Sequence, residues 1–319
     1  MVQRHKIATI FGGTGFIGRQ VVRELADRGV TVKVATRIPE SAYFLRPLGN
    51  VGQIVPVACD YSDGQSISDA VKGADYVVNC IGILYEKGKK STFQKAHVDI
   101  PSMITAACTN HGVSHFVHIS ALACDKGSSK YAKSKYDGEK AVFEAFSNAT
   151  ILRPSIVFGE DDSFFNMFAE MSRYSPFLPL IGGGKTKFQP VFVGDVADAV
   201  ITALNDDQQK YSGKVYQLGG PDVQSFKELF ETMFKYTRRP RRLVTLPFGF
   251  AKFESMFLPK SVLTADQVES LKTDNIVDDS ALTLKHMGIA PTSMDVVLPE
   301  YLTRYQPGGE RFGTKNLAT

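Results

Sequence analysis

Tryptophan is absent and cysteine is sparse: four thiols, Cys59, Cys80, Cys108 and Cys124, stand among 319 residues. No pair forms Cys-x-x-Cys, and their settings are mostly apolar. That argues against a disulfide framework or a zinc site, and for free, buried thiols in a reducing compartment. Long hydrophobic runs are missing too, none reaching the ~18 consecutive apolar residues of a transmembrane helix. Met1 to Lys6 is polar and basic and leads straight into a strand-like run, so neither a secretory signal nor a transit peptide is expected. Charge of one sign is also lacking. Lys and Arg number 37 against 33 Asp and Glu, a net of +4, too little to imply a nucleic-acid partner. The six histidines show no ligand spacing. His115 and His118 lie on one expected strand and would point to opposite faces, so no metal site is expected.

What is present reads as an ordinary globular protein, 43% hydrophobic and 22% charged. At roughly 150 residues per domain, the length suggests about two domains. Short runs rich in β-branched residues recur at 6–11, 30–35, 53–57, 75–80, 115–119 and 149–152. Between them, 16–29 and 100–111 carry apolar residues at helical spacing, Ile17, Val21, Val22 and Leu25 in the first. This alternation predicts an α/β fold, a Rossmann doubly wound parallel sheet with helices on both faces. Later segments at 164–174, 193–204, 226–237, 248–257 and 264–272 read as helices, with a further strand at 215–218. The expected layout is a nucleotide-binding domain from 1–158 with 190–220. A smaller, mostly helical C-terminal domain takes 159–189 with 221–319, and its Gly-rich tail from Gly308 is expected to be poorly ordered.

The first strand runs into Gly12-Gly13-Thr14-Gly15-Phe16-Ile17-Gly18 and then a helix. Gly12 permits a tight turn, Gly15 lets backbone approach a pyrophosphate, and Gly18 allows close helix packing. The free N–H groups of the helix start then face the phosphates, with Thr14, Phe16 and Ile17 alongside. A glycine-rich turn in an unrelated α/β protein is the plainer reading, but the strand–turn–helix setting is the required one. The second strand ends on Arg37 rather than a carboxylate. An arginine there pairs with a 2′-phosphate, which favours NADP(H), although a surface arginine would look the same. Asp60 and Tyr61 follow the third strand on the adenine side, and Asn79 ends the fourth.

The fifth strand ends on Ser120, and Tyr131 and Lys135 follow four apart, on one face of an expected helix. A lysine near a phenol is expected to lower the phenol's pKa. Tyr131 would then exchange a proton with a substrate oxygen held by Ser120, while Lys135 also holds the nicotinamide ribose.

Together, Gly12, Gly15, Gly18, Asp60, Asn79, Ser120, Tyr131 and Lys135 resemble the extended or atypical short-chain dehydrogenase/reductase superfamily, of NAD-dependent epimerase/dehydratase type. Arg153-Pro154-Ser155-Ile156-Val157-Phe158-Gly159 resembles its R-P-x-x-x-[FY]-G turn. Phe192-Val193-Gly194-Asp195-Val196-Ala197 resembles its V-x-D-V-A helix start, with Asp195 expected to act like an N-cap. Segments 78–86, 164–166, 188–191, 263–268 and 301–305 are similar to one branch, the NADPH-holding accessory subunit of respiratory complex I and its bacterial relatives. That resemblance implies a mainly structural NADP(H), complex I subunits as partners, and a place peripheral to the inner membrane, on its cytoplasmic face or the mitochondrial matrix side. The alternative is an active NADP-dependent reductase or epimerase using Ser120, Tyr131 and Lys135. One departure stands out: His97 occupies a place where many members carry an asparagine of the proton relay. A loop at 83–92 carries three lysines and would cover or obstruct the substrate side.

The basic run 235–242 reads first as a solvated loop, or else as a patch for anionic lipid head groups or an acidic partner. Phe250, Phe253, Met256 and Phe257 share a helical stripe beside it. A core helix is the first reading of that stripe; a membrane-surface contact is the second.

Overall fold

A computed structural model describes residues 6–206, 208–255, 259–260 and 263–308. The chain opens with β1 (Ile7–Phe11), α1 (Phe16–Asp27), β2 (Thr31–Thr36), β3 (Ile54–Ala58), α2 (Gly64–Val71) and β4 (Tyr76–Asn79). It continues through α3 (Ile100–His111), β5 (His115–Ile119), α4 (Lys130–Ala145), β6 (Thr150–Pro154), β7 (Val157–Phe158), α5 (Phe164–Tyr174) and β8 (Phe177–Ile181). Then come β9 (Lys187–Phe188), β10 (Val191–Phe192), α6 (Val193–Leu204), β11 (Val215–Leu218), β12 (Gln224–Ser225) and α7 (Phe226–Thr237). The described elements end with β13 (Arg242–Leu246), α8 (Phe248–Glu254), α9 (Ala265–Ser270) and α10 (Met294–Leu302).

Seven strands form one sheet in the order β11-β6-β5-β4-β1-β2-β3. Every pairing in it is parallel, which is the doubly wound Rossmann topology expected. Successive side chains leave a strand on opposite faces, so each face has its own core. Ile10, Val34 and Val78 pack under Val21 and Leu25 of α1 and Val196 and Val200 of α6. Phe11, Val77 and Ile151 pack under Ile67 of α2, Ile104 and Cys108 of α3 and Val142 of α4. β1 pairs with β2 on one side and β4 on the other, so the winding reverses there. The crevice beyond the C-terminal ends of β1 and β4 is where such a sheet binds ligands.

Among its described elements the C-terminal part is mostly helical, as expected. Two short strand pairs, β9–β12 and β8–β13, accompany its helices, while a third, β7–β10, falls within the nucleotide-binding part. The β8–β13 pair is parallel and joins Phe177–Ile181 to Arg242–Leu246. The basic run is therefore partly built into the fold, not a solvated loop. Arg239 donates to the Tyr305 carbonyl and Arg241 to the Ser172 carbonyl, and Arg242 opens β13. The core reading of the aromatic stripe also fails for its described members: in α8 only Ala251 is buried, while Phe250 and Phe253 are 50% and 58% exposed. Met256 and Phe257 lie outside the described residues, as does most of the tail from Gly308. Asp195 does not cap its own helix. It sits within the first turn of α6, and its carboxylate accepts from the Thr292 N–H and hydroxyl, both at 2.7 Å.

The thiols are free as expected, Cys59, Cys108 and Cys124 buried and Cys80 partly so. Among the described residues no helix is long and apolar enough to cross a membrane, and no cluster could hold a metal ion.

Candidate functional site

Gly12 takes a left-handed backbone, φ +76°, and its carbonyl accepts the Gly15 N–H at 3.0 Å. This turn carries the chain from β1 into α1. Gly15 is the N-cap in extended conformation; no side chain caps the helix and its first turn holds no acid. The orphan N–H groups of α1 thus face the crevice without a protein acceptor, the arrangement that receives a phosphate. Gly18 plays a slightly different part from the one expected. A Cβ there would lie 2.2 Å from the Gly12 carbonyl oxygen and 2.7 Å from Gly13 Cα, so its bareness seats the helix against the loop itself rather than the sheet.

On the adenosine side, Arg37 leaves β2 with its guanidinium 5.8 Å from the Tyr61 ring centre. Tyr61 is anchored by donating to the Ala35 carbonyl at 2.7 Å. Asp60 is exposed, and hydrogen bonds from the Ser62 N–H and hydroxyl hold its carboxyl below its ordinary pKa. Asn79 is fully buried and does not open to the groove. Its Oδ1 accepts the Ile81 N–H at 3.0 Å and its amide meets His118 Nδ1 at 3.1 Å, so it shapes the loop that borders the crevice.

Ser120, Tyr131 and Lys135 come together on the wall of one cavity of about 610 Å³, which also reaches Gly15, Phe16, Ile17 and Gly18. Lys135 is buried and donates to the Ile119 carbonyl at 3.1 Å. Burial brings its pKa down to about 8. The expectation that Lys135 lowers the Tyr131 pKa is overturned: burial raises it, with no offsetting contribution from the lysine. Desolvation of the phenolate is the larger effect here. The 83–92 loop covers rather than obstructs. Ile83 and Leu84 line the cavity, but Lys87, Lys89 and Lys90 are exposed and do not.

The contacts of four features of the site were not foreseen from the sequence. His97, in a π turn over Lys95–Asp99, is a hub. Its Nε2 accepts the Ile83 N–H at 3.1 Å. Ser134 Oγ gives its only hydrogen to the Tyr131 carbonyl, so the 2.8 Å contact to His97 Nδ1 is donated by the ring. The ring also stands edge-on to Tyr131 at 5.4 Å. Gly138 of α4 makes room for this turn, since a Cβ there would lie 1.9 Å from the His97 carbonyl oxygen. Asp266 reaches over from α9 to accept the Lys130 and Tyr131 N–H groups at 2.7 and 2.9 Å, fixing the start of the helix that carries Tyr131. Beneath lies an ion pair: Arg153 donates to both carboxylate oxygens of Glu139 at 2.9 and 2.7 Å, and to Asp125 at 2.6 Å. Cys124 donates to Glu139 from below Ser120, and burial pushes its thiol up to about 12.

Two buried histidines make stability fall in acid. Burial, and then the Lys135 ammonium, lower His97 to about 2 and His118 to about 3. Both are neutral when folded and protonate near pH 6.5 when unfolded, so their contribution is whole above 6.5 and lost as pH falls towards 3. At about 1.4 kcal/mol per pH unit for each, the pair costs on the order of 4 kcal/mol by pH 5. Urea unfolding at pH 7 and pH 5 should show this drop, and His118→Gln should remove about half of it. An undiminished drop in that variant would contradict the assignment.

The model of the NAD dependent epimerase/dehydratase family matches residues 8–219. The chain belongs to that family. Within it, the chain is 37% identical over 325 residues to the mitochondrial NADH dehydrogenase (ubiquinone) 1 alpha subcomplex subunit 9 of Arabidopsis thaliana, covering 97% of this chain and 80% of the relative. The subunit of the same name from Mus musculus is 34% identical over 313 residues, covering 94% and 80%. Among solved structures, Citrobacter sp. triphenylmethane reductase complexed with NADP(H) superposes with a TM-score of 0.73 at 18% identity, over 93% of this chain and 99% of that one. An NADPH-dependent quinone oxidoreductase of Escherichia coli, complexed with NADPH, gives 0.72 at 21%, again over 93% and 99%. These two share the fold of this epimerase/dehydratase-family chain. An NAD(P) cofactor fits what the crevice offers, an uncapped helix start behind a bare glycine turn and an arginine beyond β2.

Proposed function

We propose that the chain is an NADP(H)-holding accessory subunit of a respiratory complex I. It sits peripheral to the membrane, on the cytoplasmic face of an inner membrane or the matrix side in a mitochondrion. The observation that carries this is the match, over nearly the whole chain, to subunits so named in plant and mouse, with the phosphate-binding turn intact. In this reading the α1 N-terminus holds the pyrophosphate, Arg37 the 2′-phosphate, and Lys135 the nicotinamide ribose. Bound NADP(H) would supply a hydride at its nicotinamide ring. Tyr131 would hold a proton at its hydroxyl. Exposed Phe250 and Phe253, close in sequence to the basic run, support a membrane-surface contact. A second reading, an active reductase, is favoured by one fact: Ser120, Tyr131 and Lys135 share the cavity wall.

Complementation separates the two. In cells lacking the chain, Tyr131→Phe is expected to restore assembled complex I to the wild-type level, and Gly15→Val is not. Full assembly in the absence of any copy would contradict the subunit reading. Failure of Tyr131→Phe despite retained NADPH would favour the reductase.

A further inference from the structure

The cavity continues past the nicotinamide end into the C-terminal part, and its chemistry there is one-sided. Phe164, Met167, Phe168, Ile181, Phe188 and Phe226 form the far wall. Their rings pack edge to face, Phe164 on Phe168 at 5.2 Å and Phe168 on Phe226 at 6.2 Å. Among the described residues that line the cavity, only Lys135 and Asp266 carry charge. Lys135 is bound to the Ile119 carbonyl, and the Asp266 carboxylate is engaged by two helix N–H groups. Most other polar lining side chains are satisfied internally, although the Ser163 and Thr273 hydroxyls have no hydrogen-bond partner among the described residues. Gln267 caps α9, Ser155 pairs with Asn275, and Asn275 donates to the Leu122 carbonyl. The Tyr131 hydroxyl has no hydrogen-bond partner among the described residues, and Ser120 has only a long contact to Cys124 at 3.8 Å. Two hydroxyls thus stand at one end of an apolar, aromatic chamber.

We propose that this chamber binds an uncharged long-chain carbonyl compound, its oxygen at Ser120 and Tyr131 and its hydrocarbon chain among the phenylalanines. A nucleotide-linked sugar is the wrong chemistry for it. A diphosphate needs cations, and here it would meet Asp266 and bare rings, so its desolvation would go uncompensated. The cavity of about 610 Å³ is shared between this chamber and the end at Gly15–Gly18. The inference uses only the cavity and its two hydroxyls, and does not depend on assembly into complex I.

Calorimetric titration of the full chain loaded with NADPH tests it, with methyl undecyl ketone, methyl heptyl ketone and UDP-glucose as probes. One-to-one binding of both ketones is expected, each added methylene tightening it by up to about fourfold. UDP-glucose should give no heat of binding. Met167→Arg, on the far wall, should weaken the longer ketone at least about tenfold while NADPH affinity holds, because a buried cation beside the chain is costly. Met167→Leu should bind as wild type, which keeps the test usable if the arginine variant fails to fold. Saturable UDP-glucose binding, ketone affinity independent of chain length, or unchanged ketone binding in folded Met167→Arg would overturn the proposal.

Discussion

Arg153→Met is expected to destabilise the fold by about 3–5 kcal/mol, a large share of the ~5–15 kcal/mol typical of a domain. The reason lies in what it strands. Glu139 is 2% exposed, and two of its contacts come from the Arg153 guanidinium. Without them the carboxylate keeps only the Cys124 thiol, a weak donor. The burial that makes the pair costly to form makes half of it worse. Glu139→Met alone should cost less, because Arg153 retains Asp125 at 2.6 Å. The double variant should recover most of the loss. Urea unfolding of all four proteins measures the cycle, and simple addition of the two single losses would show that the pair does not act as a unit.

Gly18→Ala is expected to abolish binding of both NADPH and NADH. Its Cβ would fall 2.2 Å from the Gly12 carbonyl oxygen, backbone that cannot swing aside, so the phosphate turn must be rebuilt. Overpacking of this kind also costs about 1–3 kcal/mol in stability. Gly64→Ala is the control. It too lies in the first turn of a helix, but nothing lies within 4 Å of a Cβ there. Arg37→Asp discriminates in another way. A charge-assisted hydrogen bond to a 2′-phosphate is worth ~1.5–3 kcal/mol, so NADPH should weaken about ten- to hundredfold with NADH little changed. Cofactor fluorescence titrations read all three variants. Equal losses of both cofactors in Arg37→Asp would remove the NADP(H) assignment.

Much of the fold was legible because its signals are local. Short runs rich in β-branched residues and helical spacing located the seven-stranded sheet and most of its helices, and the glycine turn carried its own strand–turn–helix context. What escaped depends on partners far apart in the chain. The β8–β13 pair joins two short segments, one containing Pro179 and the other opening on Arg242 at the end of a basic run. Neither alternates strongly enough to announce a strand. Asp266 and Tyr131 are 135 positions apart, and only the fold shows that one fixes the helix start of the other. The phenol was misjudged for a different reason. Spacing put Lys135 and Tyr131 on the wall of one cavity correctly, but it says nothing about the burial that raises the phenol's pKa. His97 was noticed only as a departure from a family pattern, since nothing in its neighbours signals a π turn.

The central claim, an NADP(H)-holding subunit of complex I, is tested most directly by purification. The tagged chain would be recovered from detergent-solubilised membranes of its own cells, and its companions and bound nucleotide identified by mass spectrometry. Complex I subunits in stoichiometric amount, with about one NADP(H) per chain, are the result the account predicts. Recovery of the chain alone, with or without a nucleotide, would contradict it.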